Sequence, residues 1–385
     1  MKFTKIATLI TATLAATSLP VLAADTSKTK LDLNLRYESV DQDNALKNAN
    51  ALTLRTRLSY LTKTVEGFSA MIEFEDSRTI AGVDNYNDTN GQNTGVYSVV
   101  ADPETTELDQ AFVQYKSDNF MAKVGRQVIT LDGHRFVGHV GWRQDRQTFD
   151  GATVVYNASD KFTASYSYIS KRNRIFGEEK DFDSKDHLLN LSYKTPVGKV
   201  VGYAYRLKID EGVRNGLDTF GVSFTGKKDK FSYAAELAAQ SDDVSRADTT
   251  YFKLEGGYNF GKVTGKLGYE SLGSDDGVGF STPLATLHKF NGWSDQFLGT
   301  PGVGLEDAYA TIAGKAFGGG WSVTYHDFSA ETGSIDFGSE IDAVYTKGFA
   351  KNYKGGIKLA VYDAGDAASG KVDTDKVWLF VSASF

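Results

Sequence analysis

The sequence predicts an all-β protein: a transmembrane antiparallel β-barrel of about 18 strands, with short periplasmic turns and long extracellular loops. Three observations carry this. Apolar side chains recur at every second position in segment after segment, the period of a strand whose two faces meet different surroundings. Tight turns alternate with long polar connections. The last stretch, DKVWLFVSASF, aligns Val377, Leu379, Val381, Ala383 and Phe385 on one apolar face. Composition agrees, because 39 Gly, 20 Tyr and 24 Phe against 5 Pro and 3 Met suit strands better than helices.

The first residues stand apart. MKFTKIATLITATLAATSLPVLA sets Lys2 and Lys5 before an apolar run from Ile6 to Leu19 and ends on Val21-Leu22-Ala23, a small-residue cleavage site. Residues 1–23 therefore read as a secretory signal peptide and 24–385 as the barrel. The run is short and broken by threonines, which argues against a membrane anchor. No later apolar run is long enough for a helical span, so strands must do any crossing. The chain has no cysteine, hence neither a disulfide nor a thiolate metal site. Without Lys2 and Lys5, 40 basic residues face 49 acidic ones, a balance that disfavours nucleic acid as a partner.

In chain order, strands are expected near 30–40, 51–63, 68–78, 107–116, 120–129, 148–157, 162–171, 187–195, 200–209, 217–225, 231–240, 248–260, 263–271, 305–315, 321–329, 339–349, 355–363 and 376–385. KLDLNLRYESV sets Leu31, Leu33, Leu35 and Tyr37 against Asp32, Asn34, Arg36 and Glu38. ALTLRTRLSYL sets Leu52, Leu54, Leu58 and Tyr60 against Thr53, Arg55, Arg57 and Ser59. FSAMIEFE opposes Phe68, Ala70, Ile72 and Phe74 to Ser69, Glu73 and Glu75, and FSYAAELAAQ aligns Phe231, Tyr233, Ala235, Leu237 and Ala239.

The connections sort by length. TVEG, SDN, ASDK, TPVGK, GKKDK and FGGG are tight, while the segments near 79–106, 130–147, 171–186, 271–304 and 363–375 are long and polar. A secreted β-sandwich has no reason to gather its long connections at one end, whereas an outer-membrane barrel does. In hydrocarbon every backbone donor and acceptor must be paired, and a closed sheet achieves this. An even strand count returns both termini to the periplasmic side. Phe385 is then expected to close the barrel against the first strand, its ring in the lower aromatic girdle and the strand's apolar face covered by lipid. Such an aromatic end resembles the terminal signal by which the barrel-assembly machinery recognises its clients.

With apolar faces turned to lipid, the opposite faces line the interior. That list includes Arg36, Arg55, Arg57, Glu73, Glu75, Gln110, Lys123, Gln127, Asn190, Arg206, Glu236, Lys253, Glu255 and Lys266, the wall of a water-filled lumen of mixed charge. Arg36, Arg55 and Arg57 should project together and face Glu73 and Glu75, either setting a transverse field or pairing to fill space.

The segment GRQVITLDGHRFVGHVGWRQDRQTFDG, Gly125 to Gly151, follows the fifth strand as the third long loop. It carries Arg126, Arg135, Arg143 and Arg146 with Asp132, Asp145, His134, His139 and Trp142. Guanidinium forks bind carboxylates and aromatic faces stack on sugars, so the set suits a constriction for an anionic saccharide. GRQ…DGHRFVG…WRQDRQTFDG resembles the alginate export family, and FSTPLATLHKFNGWSDQFLGTPGVGLEDAYA (280–310) resembles a long late loop in its porin-like relatives. The resemblance spans the chain after the leader. It implies a monomeric eighteen-stranded outer-membrane barrel with an arginine-rich pore for polyuronates, Arg126, Arg135, Arg143 and Arg146 being the constriction residues it supports. Phe290, Trp293 and Phe297 of the later loop either form a landing surface for sugars or a plug, or pack the loop onto the barrel rim.

Catalysis and cofactors are not expected. His134, His139, His187, His288 and His326 mark out no nucleophile. The spacing of His134, His139, Asp132 and Asp145 is not a ligand pattern, and the acidic loops lack Ca²⁺-loop spacing. The expected partners are outer-membrane lipid and lipopolysaccharide, the assembly machinery, and small hydrophilic solutes diffusing passively. A surface receptor or adhesion scaffold, its pore closed by the 271–304 and 79–106 loops, is the alternative.

Overall fold

A computed structural model describes residues 26–210 and 216–385. The leader expected over 1–23 lies outside them. Eighteen antiparallel strands form one sheet. They are β1 (Lys28–Gln42), β2 (Ala49–Leu61), β3 (Phe68–Asn85), β4 (Thr105–Lys116), β5 (Phe120–Gln127), β6 (Thr148–Asn157), β7 (Phe162–Asn173), β8 (Phe182–Thr195) and β9 (Gly198–Leu207). After these come β10 (Leu217–Lys228), β11 (Phe231–Asp242), β12 (Asp248–Asn259), β13 (Val263–Leu272), β14 (Leu305–Ala316), β15 (Gly319–Ser329), β16 (Asp336–Ala350), β17 (Tyr353–Ala364) and β18 (Thr374–Ser384). Each expected strand has its counterpart. The main differences are that β3 runs on to Asn85 and β8 begins at Phe182, lengthening the sheet at its loop end.

Each strand pairs with its neighbour in sequence, and β1 pairs with β18 from Asp32↔Ser384 to Gln42↔Thr374. Among the described residues this sheet therefore has no free edge, as a lipid-bathed sheet requires. At the seam Leu31 N donates to Phe385 O at 3.0 Å and Phe385 N donates to Leu31 O at 2.9 Å. The Phe385 ring stands edge-on to Tyr353, 5.8 Å between centroids.

Exposure alternates along the strands. In β2, Leu58 and Tyr60 are 49% and 46% exposed while Arg55, Arg57 and Ser59 on the opposite face are buried. Leu237, Leu254, Leu267 and Ile312 continue the outer apolar band. Near the β2–β3 and β4–β5 turns the rings of Phe68, Tyr115 and Phe120 follow one another, tilted by 51° and 50°.

The interior is not uniformly polar. On β9 the apolar residues Val201, Tyr203, Tyr205 and Leu207 are the buried, inward set. They share one core cluster with Ile129, Leu131, Phe136 and Val137 of loop 3 (128–147) and Phe280, Leu284 and Phe297 of loop 7 (273–304). Arg206 accordingly faces outward, ion-paired with Asp218 at 3.3 Å, and is not a lumen residue. The apolar-to-lipid rule inverts here because two loops occupy the lumen and themselves need an apolar wall.

Candidate channel constriction

Loop 3 enters the barrel because β5 stops at Gln127, which pairs with Phe149 at the start of β6. The chain then turns inward through left-handed residues Asp132, His134 and Val140. Loop 7 is stitched to it: Gly138 N donates to Leu284 O at 2.8 Å, Thr286 N donates to His134 O at 3.1 Å, and Val137 bridges Leu284. Such backbone pairing satisfies groups that burial would otherwise leave orphaned.

The opposite side of loop 3 meets the charged wall of β1–β4. Arg143 donates from Nη1 to Glu38 Oε2 at 3.1 Å and from Nη2 to Asp295 Oδ2 at 3.0 Å. Arg36 pairs with Asp102 of loop 2 (86–104), donates to the Trp142 carbonyl, and lies 3.8 Å from Glu38. Gln144 N donates to Asp102 Oδ1 at 2.9 Å. Arg57 pairs with Glu75, and Arg146 with Glu73 and, at 2.6 Å, Asp109. Arg135 donates to Glu270 at 2.8 Å and sits 4.8 Å over the Phe290 ring. Arg55 reaches Asp32 at 2.5 Å. Every arginine of this wall has a carboxylate partner, as buried guanidinium groups require.

An aromatic group lies beside this network. Lys358 Nζ stands 3.8 Å from the Trp293 ring centroid, 4.3 Å from Trp142 and 4.9 Å from Trp378. It also lies 2.6 Å from His288 Nε2, while His288 Nδ1 lies 2.6 Å from Asp295 Oδ1. An ammonium cannot accept, so Nε2 accepts and Nδ1 carries the proton donated to Asp295. Burial above all, then Lys358 and Arg143, outweigh the pull of Asp295 and push the His288 pKa down to about 3. The imidazole is neutral and stacks on Trp142, with 5.5 Å between centroids.

The structure gathers Arg36, Arg55, Arg57, Glu73, Glu75, Arg135, Arg143 and Arg146 inside the barrel. Arg126 it does not. Arg126 shares the outward face of β5 with Val124, which is 61% exposed, and lines an outer-wall dent of about 570 Å³ with Ala111, Ala152 and Tyr168. There it binds Asp150 through two hydrogen bonds of 2.8 and 3.1 Å and donates to the Leu108 carbonyl at 3.0 Å. Parity is the reason, since Lys123 and Gln127 take the inward positions. Trp142, Phe290, Trp293 and Phe297 all lie within the barrel, Phe297 buried against Phe328 at 4.5 Å. Phe297 packs loop 7 onto the barrel wall at the loop ends of β15, β16 and β17, against Phe328, Phe337 and Tyr362. Sequence reasoning missed Asp102, Asp109, His288, Glu340 and Lys358 as partners in this region. Glu340 and Lys358 lie on inward strand faces and were legible by parity, but Asp102 sits in a loop whose position no period reveals.

Lys253 of β12, opposite Glu236 and Glu270, and Lys289 of loop 7, which donates to the Gly133 carbonyl at 2.8 Å, make no ion pair among the described residues, and Lys266 pairs with Glu255 at 3.1 Å. Burial, then Lys253 and Lys266, push the Lys289 pKa down to about 8, so the three ammonium groups share one region.

A closed eighteen-stranded barrel, greasy outside and narrowed by infolded loops, defines an outer-membrane β-barrel of the porin type. More particularly, the alginate export family model matches residues 27–270, and the chain belongs to that family. No curated protein sequence matches it. Among solved structures it is similar to OccAB4 of Acinetobacter baumannii, with a TM-score of 0.74 at 16% identity over 94% of this chain and 98% of that one. OccK9 (OpdG) of Pseudomonas aeruginosa gives 0.74 at 15% over 94% and 99%, and OccK8 (OprE) of the same organism 0.71 at 15% over the same shares. These likenesses establish the fold.

Proposed function

We propose that the protein is a passive channel for small hydrophilic solutes, with a preference for anionic, saccharide-like ones. The observation that carries this reading is a division of charge. The arginines of loop 3 are each held within ion-pair distance of a carboxylate, whereas Lys253 and Lys289, near each other and near Lys266, make no ion pair among the described residues and keep ammonium groups available to a solute. Alginate and uronates fit that chemistry, carboxylates for the ammonium groups and ring faces for the tryptophans. Lipopolysaccharide around the rim and the assembly machinery at β18 are the partners this setting implies. Swelling of proteoliposomes with neutral sugars, uronates and amino acids tests the preference, and faster entry of neutral sugars than of uronates of similar size refutes it.

The core-like packing of loops 3 and 7 favours a second reading, a loop-closed barrel acting as a surface receptor or adhesion scaffold. Planar bilayers separate the two. Stable unitary conductance steps support the channel, and folded protein that leaves the bilayer sealed supports the receptor.

A further inference from the structure

The sharpest unassigned feature of the plug is Asp295. Loop 7 presents it on a left-handed backbone, φ 64°, a conformation tolerated by Asp and Asn but uncommon for residues other than glycine. Just before it, Gly292 is left-handed too, and a Cβ there would lie 2.2 Å from Glu340 Oε2. That close approach lets Glu340 accept from Trp293 N at 2.5 Å and Ser294 N at 2.8 Å, which fixes the turn that aims Asp295 at the wall.

Asp295 there touches three separate elements. Oδ1 accepts from His288 of its own loop at 2.6 Å, and Oδ2 accepts from Arg143 of loop 3 at 3.0 Å and from Lys376 of β18 at 2.8 Å. Burial pushes its pKa up, but His288, Lys376 and Arg143 outweigh that and hold it well below the usual carboxylate range. The connected ion network contains three cations, Arg36, Arg143 and Lys376, and three anions, Glu38, Asp102 and Asp295. It is neutral only while Asp295 is ionised, and Lys376 has no other carboxylate within ion-pair distance among the described residues.

We infer that Asp295 is a specificity-determining residue: by bridging Arg143 and Lys376 it neutralises the constriction and couples loop 7 to loop 3. The inference rests on the channel reading for its effect on ions, while the bridge can be read without conduction.

Asp295→Asn keeps shape and backbone preference while removing the charge. A unit charge change taken at about 5 Å from a passing ion, screened as in water, alters ion entry about fourfold. Asp295→Asn is therefore expected to shift the anion-to-cation permeability ratio toward anions by at least that factor, read as a reversal potential across a salt gradient. Lys376→Met is expected to shift it the opposite way. If the wild type conducts and neither variant moves the reversal potential, the assignment is overturned. Hydrogen exchange reads the bridge independently, including where the wild type does not conduct and the channel reading itself fails. Faster exchange in Asp295→Asn at both 286–297 and 141–145 upholds the bridge. Exchange unchanged at 141–145 overturns it.

Discussion

Leu254 offers a direct test of which face of the sheet meets lipid. It lies near the middle of β12, is 54% exposed, and has outward Ala235 and Tyr269 as cross-strand neighbours. At a rise of about 3.3 Å per residue and a tilt near 40°, it sits about 13–15 Å from either end of the strand. That is the mid-depth of the apolar band, where an arginine on the lipid face destabilises a barrel by about 2–4 kcal/mol. Leu254→Arg should therefore lower the folding equilibrium constant about 30- to 1,000-fold. Lys253, one residue earlier, faces the lumen, and Lys253→Met should change stability by about 0.5 kcal/mol or less. Reversible urea unfolding in phospholipid vesicles, followed by tryptophan fluorescence, measures both. Equal effects at the two positions, or a larger one at Lys253, would refute the inside-outside assignment and with it the membrane barrel.

Arg143→Ala removes one cation from Glu38 and Asp295, which keep Arg36 and Lys376, so its reversal potential in a salt gradient should move toward cations by a few-fold in permeability ratio. Gly151→Ala should cost about 1–3 kcal/mol in the same unfolding assay, because its Cβ would lie 2.0 Å from the Tyr168 carbonyl oxygen, whereas Gly202→Ala, with no atom within 4 Å, should be neutral. Acid should loosen the plug. His288 and His139 have pKa values pushed down to about 3 and about 4 by burial, so the unfolded chain binds more protons below about 6.5. Their contribution is complete above about pH 6.5 and is lost as pH falls toward 3–4; His288→Gln should flatten the slope, and a slope unchanged by it would contradict a buried neutral imidazole.

Much of the barrel was legible because lipid imposes a simple pattern. Strand after strand, from Leu31-Leu33-Leu35 to Val377-Leu379-Val381, turns apolar side chains to one medium, and the turns between are too short to hide the period. The pairing of Phe385 with the first strand followed from closure alone. The misses came where side chains answer to protein instead of lipid. On β9, Tyr203 and Tyr205 point inward to meet Phe136, a contact that no period-two count distinguishes from an outward stripe. Arg126 was misplaced by its company in a basic segment, although its parity with Val124 put it outside. The partners of Arg143 lie on β1, loop 2 and loop 7, more than 40 residues from it in every case, and only the fold brings them to one point.

The seam between Leu31 and Phe385 also dictates a timetable. Joining ends so far apart in the chain carries an entropic penalty of about 5 kcal/mol if the intervening chain is disordered, but little if the other seventeen hairpin contacts have already formed. Assembly should thus proceed by zipping neighbours together, leaving β1 and β18 as two raw borders until the final step. During that interval the half-made cylinder is at its stickiest, and whatever escorts it to the bilayer must shield those two borders above all.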